Sequence, residues 1–214
     1  MNVTLLLAHA DDETLGAGGT VQKLLARGHA VRLVVVSDGV VAMRGAGNDN
    51  RAALAQACAM LGIGDYTCLG FRDQQFDQYP VAEIANRAAA ALGEPDLIIT
   101  HTDTDLNRDH RIVNEVAKIL GRPRKRPVSI LGCEIPCVSA WNGEAFRPQL
   151  YVDISAQLEP KIAAFSCYAN EVKTFPDAYS PEGLRVMAQF RGVEAGCAAA
   201  EAFEVIRLYE GLGL

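Results

Sequence analysis

His9, Asp11 and Asp12 set an imidazole and two carboxylates together in the stretch Ala8-His9-Ala10-Asp11-Asp12-Glu13, directly after an apolar run over residues 3–7. Ionisable groups repel one another and resist desolvation, so three of them at the end of a core strand require a counter-charge, which a divalent cation supplies. His and Asp are ordinary zinc ligands, and a catalytic zinc takes three protein ligands while keeping one position for water. The plainer alternative is that Asp11 or Asp12 caps a following helix and that His9 is a hydrogen-bonded residue of the rim.

A second polar segment, His101-Thr102-Asp103-Thr104-Asp105-Leu106-Asn107-Arg108-Asp109-His110, follows the short β-branched run 96–100. Apolar runs bounded in this way read as buried strands. Both segments then lie at C-terminal strand edges, where open α/β sheets bind ligands. Turn chemistry and a helix cap at Asp109 account for the aspartates but not for the two histidines. Zinc brings the pKa of bound water near neutral and polarises an amide carbonyl. Asp11, beside Asp12 but on the other side of an extended backbone, is placed to take the water's proton and return it to a leaving amine.

With these two segments the chain resembles the zinc-dependent deacetylases of the PIG-L/LmbE family. Their signatures are an (A/P)-H-(P/A)-D-D-E stretch after the first strand and a later motif ending in D-H; here these read Ala8 to Glu13 and Asn107-Arg108-Asp109-His110. The resemblance implies one zinc ion per chain held by His9, Asp12 and His110, with Asp11 as general base. It extends to Arg51, placed as the family's substrate-contacting arginine is, and to Phe71-Arg72-Asp73. A weaker likeness runs through Cys133-Glu134-Ile135-Pro136 and Tyr168-Ala169-Asn170-Glu171 to Arg191-Gly192.

Two positions depart from the pattern. Many members carry a histidine where this chain has Asn107, and that histidine steadies the tetrahedral intermediate. The Asn107 amide and His101 are the candidates to replace it. They join Asp11 and Asp109 as the candidate catalytic residues. The acidic residue often found three positions after the arginine is Leu54 here.

The 214 residues are 50% hydrophobic, enough to bury one substantial core, so a single domain over 1–214 is expected. A formal charge of -6 argues against a nucleic-acid or anionic-membrane surface. The basic stretch 122–126 follows a helix pattern and reads as a solvated turn. No run reaches the length of a membrane span, and no basic region precedes an apolar one at the N-terminus, so a cytoplasmic protein is expected. The six cysteines at 58, 68, 133, 137, 167 and 197 form no Cys-x-x-Cys pair and read as buried free thiols.

Strand and helix patterns alternate along the first two thirds. Strands are expected over 3–8, 30–37, 66–71, 96–100 and 128–134, with helices over 14–27, 51–61, 81–92 and 111–120 and a polar loop over 44–50. This predicts an α/β, Rossmann-like, doubly wound and mostly parallel sheet with helices on both faces. Residues 1–135 form its core. The less regular part, 136–214, carries an edge strand over 151–154, helices over 157–165 and 182–190, and a closing helix over 198–208, and walls the pocket. Within it Trp141, Tyr168, Glu171 and Arg191 join Arg51 and Asp73 as candidate substrate contacts. Gly16-Ala17-Gly18-Gly19 and Asp38 imitate a dinucleotide fingerprint, but these glycines fall inside the helix pattern and Val21 stands where a third is needed. They read instead as small residues that let the helix approach the sheet.

The expected partner is a small N-acylated sugar or sugar conjugate, with a nucleotide-linked acceptor favoured by the bidentate grip Arg51 offers to anions. A homo-oligomer is open, as is a divalent metal other than zinc, since a set of two histidines and one aspartate tolerates several. Two alternatives stand beside this reading: an amidase for another N-acyl compound, such as an antibiotic or thiol conjugate, and a metal- or sugar-binding module without turnover.

Overall fold

The computed structural model describes residues 1–41, 48–123 and 126–209. Residues 44–47 of the expected polar loop, and Arg124 and Lys125 of the basic stretch, lie outside the described residues. Among the described residues seven strands and six α-helices follow in the order β1 (Asn2–Leu7), α1 (Asp12–Ala26), β2 (Ala30–Ser37), α2 (Arg51–Leu61), β3 (Asp65–Phe71), α3 (Val81–Leu92), β4 (Leu97–Thr100), α4 (Arg108–Leu120), β5 (Ser129–Cys133), β6 (Leu150–Asp153), α5 (Leu158–Phe165), α6 (Pro181–Ala195) and β7 (Ala200–Arg207).

All seven strands join one sheet in the order β3-β2-β1-β4-β5-β7-β6. β1 to β5 pair in parallel, and β7 runs antiparallel between β5 and β6. Alternate residues of β1 feed two cores. Val3, Leu5 and Leu7 pack with α1, α2, α5 and α6, while Leu6 packs with α3 and α4 on the opposite face. The chain winds outward from β1 to β3 and then returns to place β4 and β5 on the other side of β1. The strand order therefore reverses between β1 and β4, and the crevice beyond their C-terminal ends is the switch point of the sheet. Both polar segments leave the sheet there.

Helix α1 can lie close to the sheet because of its glycines. A Cβ on Gly16 would sit 2.6 Å from Cys133 Sγ on β5, and one on Gly19 would sit 2.7 Å from Ile154 Cγ2. All six cysteines are free; Cys58 and Cys133 are buried, but Cys137 is exposed, so burial holds for only part of the set. Among the described residues no helix is long and apolar enough to cross a membrane.

One element differs in kind from the sequence reading. The segment expected to close the chain as a helix is strand β7, because its Ala- and Glu-rich composition is overridden by the slot it fills between β5 and β6. Glu201 explains how an acidic residue suits that slot. Its carboxylate accepts the backbone N–H of Gly19 at 2.9 Å and of Thr20 at 2.7 Å within α1, and pairs with Lys161 Nζ at 2.6 Å. Lys161 also donates to Leu15 O at 2.9 Å. This buried pair ties β7, α5 and α1 together, and a buried carboxylate stripped of its partner is costly. Lys161→Met is therefore expected to lower stability by about 3–5 kcal/mol in urea denaturation, with a smaller loss when Glu201→Gln is added.

Candidate metal centre

The loops leaving β1 and β4 bring two ring nitrogens and a carboxylate face to face. His9 Nδ1 is 3.2 Å from His110 Nε2, His110 Nε2 is 3.5 Å from Asp12 Oδ1, and His9 Nδ1 is 3.6 Å from Asp12 Oδ2. A tetrahedral zinc site with ligand bonds of about 2.0–2.1 Å has edges of about 3.3 Å, so this spacing fits a single ion. His9 comes directly off β1, Asp12 opens α1, and His110 sits in the first turn of α4.

The surroundings decide which ring nitrogens face inward as acceptors. His110 Nδ1 lies 3.1 Å from Asp105 Oδ2, while His9 Nε2 lies 3.0 Å from Asp73 Oδ1 and 3.1 Å from Asp109 Oδ2. Ionised carboxylates only accept, so each ring keeps its proton on the outer nitrogen and turns a lone pair toward the other ring and Asp12. With both rings neutral, two lone pairs and a carboxylate face one another, and a divalent cation satisfies all three at once. Burial opposes protonation of His9, yet Asp109 and Asp73 outweigh it and raise its pKa well above the usual value. The cluster draws in positive charge in either form.

Asp105 is fully buried and held by Ser139 Oγ, which donates at 3.0 Å, and by the N–H of Asn107 at 2.8 Å. His101, also fully buried, stacks on His110 with ring centroids 3.9 Å apart. Its Nε2 accepts the N–H of Ala8 at 2.9 Å. Burial and the neighbouring His110 lower its pKa, so it stands as a neutral ring behind Asp12 and does not face the pocket.

The two adjacent aspartates are driven apart. Burial works to raise Asp12, but His110, His101 and His9 hold it well below the usual carboxylate range. Asp11 is pushed well above that range by burial and then by Asp12 and Glu171. Neighbouring carboxyls with opposed shifts are suited to different tasks, one bound as an anion and one exchanging a proton. The expected extended backbone at Asp11 is not found: its φ is 133° and ψ -29°, a conformation rare for a residue with a side chain. Neither Asp11 nor Asp12 caps α1 through its side chain; Asp12 Oδ2 instead accepts the N–H of His9 at 2.7 Å.

These groups open into a pocket of about 180 Å³ that His9, Asp11, Asp12, Asp73, Asn107, His110 and Glu171 help to line. A groove of about 680 Å³ between Lys118 and Arg207 is larger but holds none of these residues and no histidine. The cap of α4 is Asn107 rather than Asp109: Asn107 Oδ1 accepts the N–H of Asp109 at 2.9 Å, which leaves its NH2 as the donor. Asp109 lies behind His9, its second oxygen taken by the N–H of Phe76 at 3.1 Å.

Four candidate substrate contacts are not brought to the pocket. Arg51 is exposed and engaged by Asp49, with Nε 2.9 Å from Oδ1. Trp141 is 70% exposed on a separate turn. Arg191 is held by Glu134 and Glu194 at 2.6 and 2.7 Å, and Tyr168 is buried against Glu13. Sequence reasoning missed Asn50, Gln74 and Tyr179, which help to line the pocket, and the buried Asp105 and Glu13 behind it. Glu13, inside the first motif, and Asp105, inside the second polar segment, carried a signal; Asn50, Gln74 and Tyr179 carried none.

Since Asp105 fixes the tautomer of His110, Asp105→Asn is expected to weaken divalent-ion affinity about 10- to 100-fold in chelator competition, with the fold retained by circular dichroism. Unchanged affinity would remove Asp105 from the support of the site.

Several solved structures share this architecture. N,N'-diacetylchitobiose deacetylase from Pyrococcus horikoshii aligns with a TM-score of 0.78 at 21% identity, covering 96% of this chain and 83% of that one. A deacetylase of teicoplanin biosynthesis aligns at 0.77 with 15% identity over 99% and 100%. GalB, the 4-carboxy-2-hydroxymuconate hydratase of Pseudomonas putida KT2440, aligns at 0.71 with 20% identity over 100% of both chains. At these identities the likeness is one of fold, and it spans more than one chemistry. No curated protein sequence matches the chain. Residues 4–120, more than half of the chain and including both polar segments, match the family model described as PIG-L: GlcNAc-PI de-N-acetylase. The chain belongs to the PIG-L family.

Proposed function

We propose that the protein is a metal-dependent N-deacetylase that removes an acetyl or similar acyl group from an amino sugar or sugar conjugate. The observation that carries this reading is the convergence of His9 Nδ1, His110 Nε2 and Asp12 in one pocket with the Asp11 carboxyl beside them. Family membership supports the class of reaction, and the deacetylase neighbours support the breadth of N-acetylated substrates that this fold accommodates.

His9, Asp12 and His110 would hold the ion, zinc being the first choice for two imidazoles and a carboxylate. When bound, such an ion polarises the acyl carbonyl and makes water a nucleophile near neutral pH. Asp11 takes a proton from the attacking water, the bond between acyl carbon and nitrogen breaks, and the same carboxyl returns the proton to the departing amine. The products are a carboxylate and a free amine. Asn107, oriented by its capping bond, presents an amide donor toward the pocket for the developing oxyanion. Asn50, Gln74 and Glu171 give the pocket a polar wall suited to sugar hydroxyls.

Asp11→Asn should bind about one ion per chain yet lose at least about 100-fold in kcat, whereas His9→Ala and His110→Ala should lose the metal; metal analysis and initial rates separate the two. Incubation of the metal-loaded protein with free, nucleotide-linked and lipid-linked N-acetyl sugars should release acetate in step with free amine. Full activity in the Asp11 variant would remove the base assignment. Release of no acetate from any of these sugars, with hydration of an unsaturated acid in its place, would overturn the reading.

A further inference from the structure

Asp11 keeps its φ of 133° through contacts that the proposed reaction does not itself use. Its carbonyl accepts the N–H groups of Thr14 and Leu15 at 2.9 and 3.1 Å and the Thr14 hydroxyl at 2.7 Å. Its N–H donates to Glu13 Oε2 at 3.1 Å. Glu13 is fully buried, and its other oxygen accepts the Tyr168 hydroxyl at 2.5 Å. Tyr168, likewise fully buried, sits just past α5, 155 positions away in sequence. Its own carbonyl accepts the N–H of Glu171, which lines the pocket.

We propose that Glu13 and Tyr168 are positioning residues: the buried Tyr168–Glu13 bond clamps the Asp11 N–H and so keeps the Asp11 carboxyl turned into the pocket. This rests on the reading of Asp11 as the base. A non-glycine residue at such a φ persists only where its surroundings over-determine it. Among the described residues Glu13 is the side chain that takes the Asp11 N–H, and its two oxygens are held by a backbone and a phenolic donor. Released from that clamp, Asp11 relaxes to an ordinary negative φ, and rotation about N–Cα carries its carboxyl away from the direction set by His9 and Asp12. The metal ligands do not depend on this bond, because Asp12 is tied to His9 N–H and His110 to Asp105. Tyr168 is thereby moved from the substrate-contacting set to the support of the base.

The experiment compares metal-loaded wild type with Tyr168→Phe, Glu13→Ala and Glu13→Gln, by steady-state kinetics on an N-acetyl sugar, metal analysis and crystal structures. Tyr168→Phe and Glu13→Ala should lower kcat about 10- to 100-fold with KM and bound metal unchanged, and Asp11 should leave the positive-φ region. Glu13→Gln should recover most of kcat, since its carbonyl still accepts the Asp11 N–H while its NH2 donates to the Tyr168 oxygen. Should Glu13→Ala fail to fold, Tyr168→Phe and Glu13→Gln decide. Unchanged kcat in Tyr168→Phe, a parallel loss of metal, or Asp11 still at positive φ in the variant crystals would overturn the proposal. A wild type inactive on every acyl substrate would defeat the functional reading alone, because the φ of Asp11 in the variants still decides this one.

Discussion

Two imidazole lone pairs and an ionised carboxylate turned toward one another within 3.6 Å are the constraint around which this fold is arranged. With both rings neutral these groups repel, because Asp73, Asp105 and Asp109 favour each ring's proton on its far side; a second proton on His9, which Asp109 and Asp73 favour, or a cation relieves the conflict. Burial prevents water from screening the conflict, since Asp12 and His110 are each 2% exposed. A divalent ion turns the arrangement from repulsive to favourable, so the geometry makes physical sense as a place prepared for one.

The sheet supplies the precision. Reversal of strand order between β1 and β4 lets two segments about a hundred residues apart emerge side by side from the most rigid part of the molecule. Helix α1 carries Asp12 at its first residue and packs closely on Cys133 of β5 at Gly16 and on Ile154 at Gly19, while Glu201 of β7 and Lys161 of α5 hold its middle. α4 is fixed at its start by Asn107 and carries Asp109 and His110 in its first turn. Strain appears at Asp11, between the converging His9 and Asp12, as expected where a side chain is aimed rather than merely packed.

Much of this is legible in the sequence because it is local. The apolar runs that become β1, β2 and β4 stand out, those of β2 and β4 being β-branched as well, and α2 and α3 start and stop where their periodicity does. Placing both segments at C-terminal strand edges brings them to one rim, and the resemblance to the family's two motifs picks His9, Asp12 and His110 from among their residues. What could not be read is long-range. β7 carries a helix-like composition, and only its neighbours β5 and β6 and the buried Lys161 make it a strand. Asp105 looks like one of several loop aspartates until His110 is seen to rest on it. Tyr168, Trp141 and Arg191 have the chemistry of substrate contacts, but one lies buried behind the first motif, one stands in solvent and one is engaged by two glutamates. The positive φ at Asp11 has no glycine to announce it; the Asp11 N–H is taken by Glu13, whose other oxygen accepts the hydroxyl of Tyr168 from far along the chain.

Anomalous diffraction from a crystal soaked in zinc tests the centre most directly. The expected result is one ion about 2.0–2.1 Å from His9 Nδ1, His110 Nε2 and a carboxylate oxygen of Asp12, with the fourth position open to the pocket. An ion bound without His110, or no ion between the two rings at zinc concentrations that saturate the protein in solution, would contradict it.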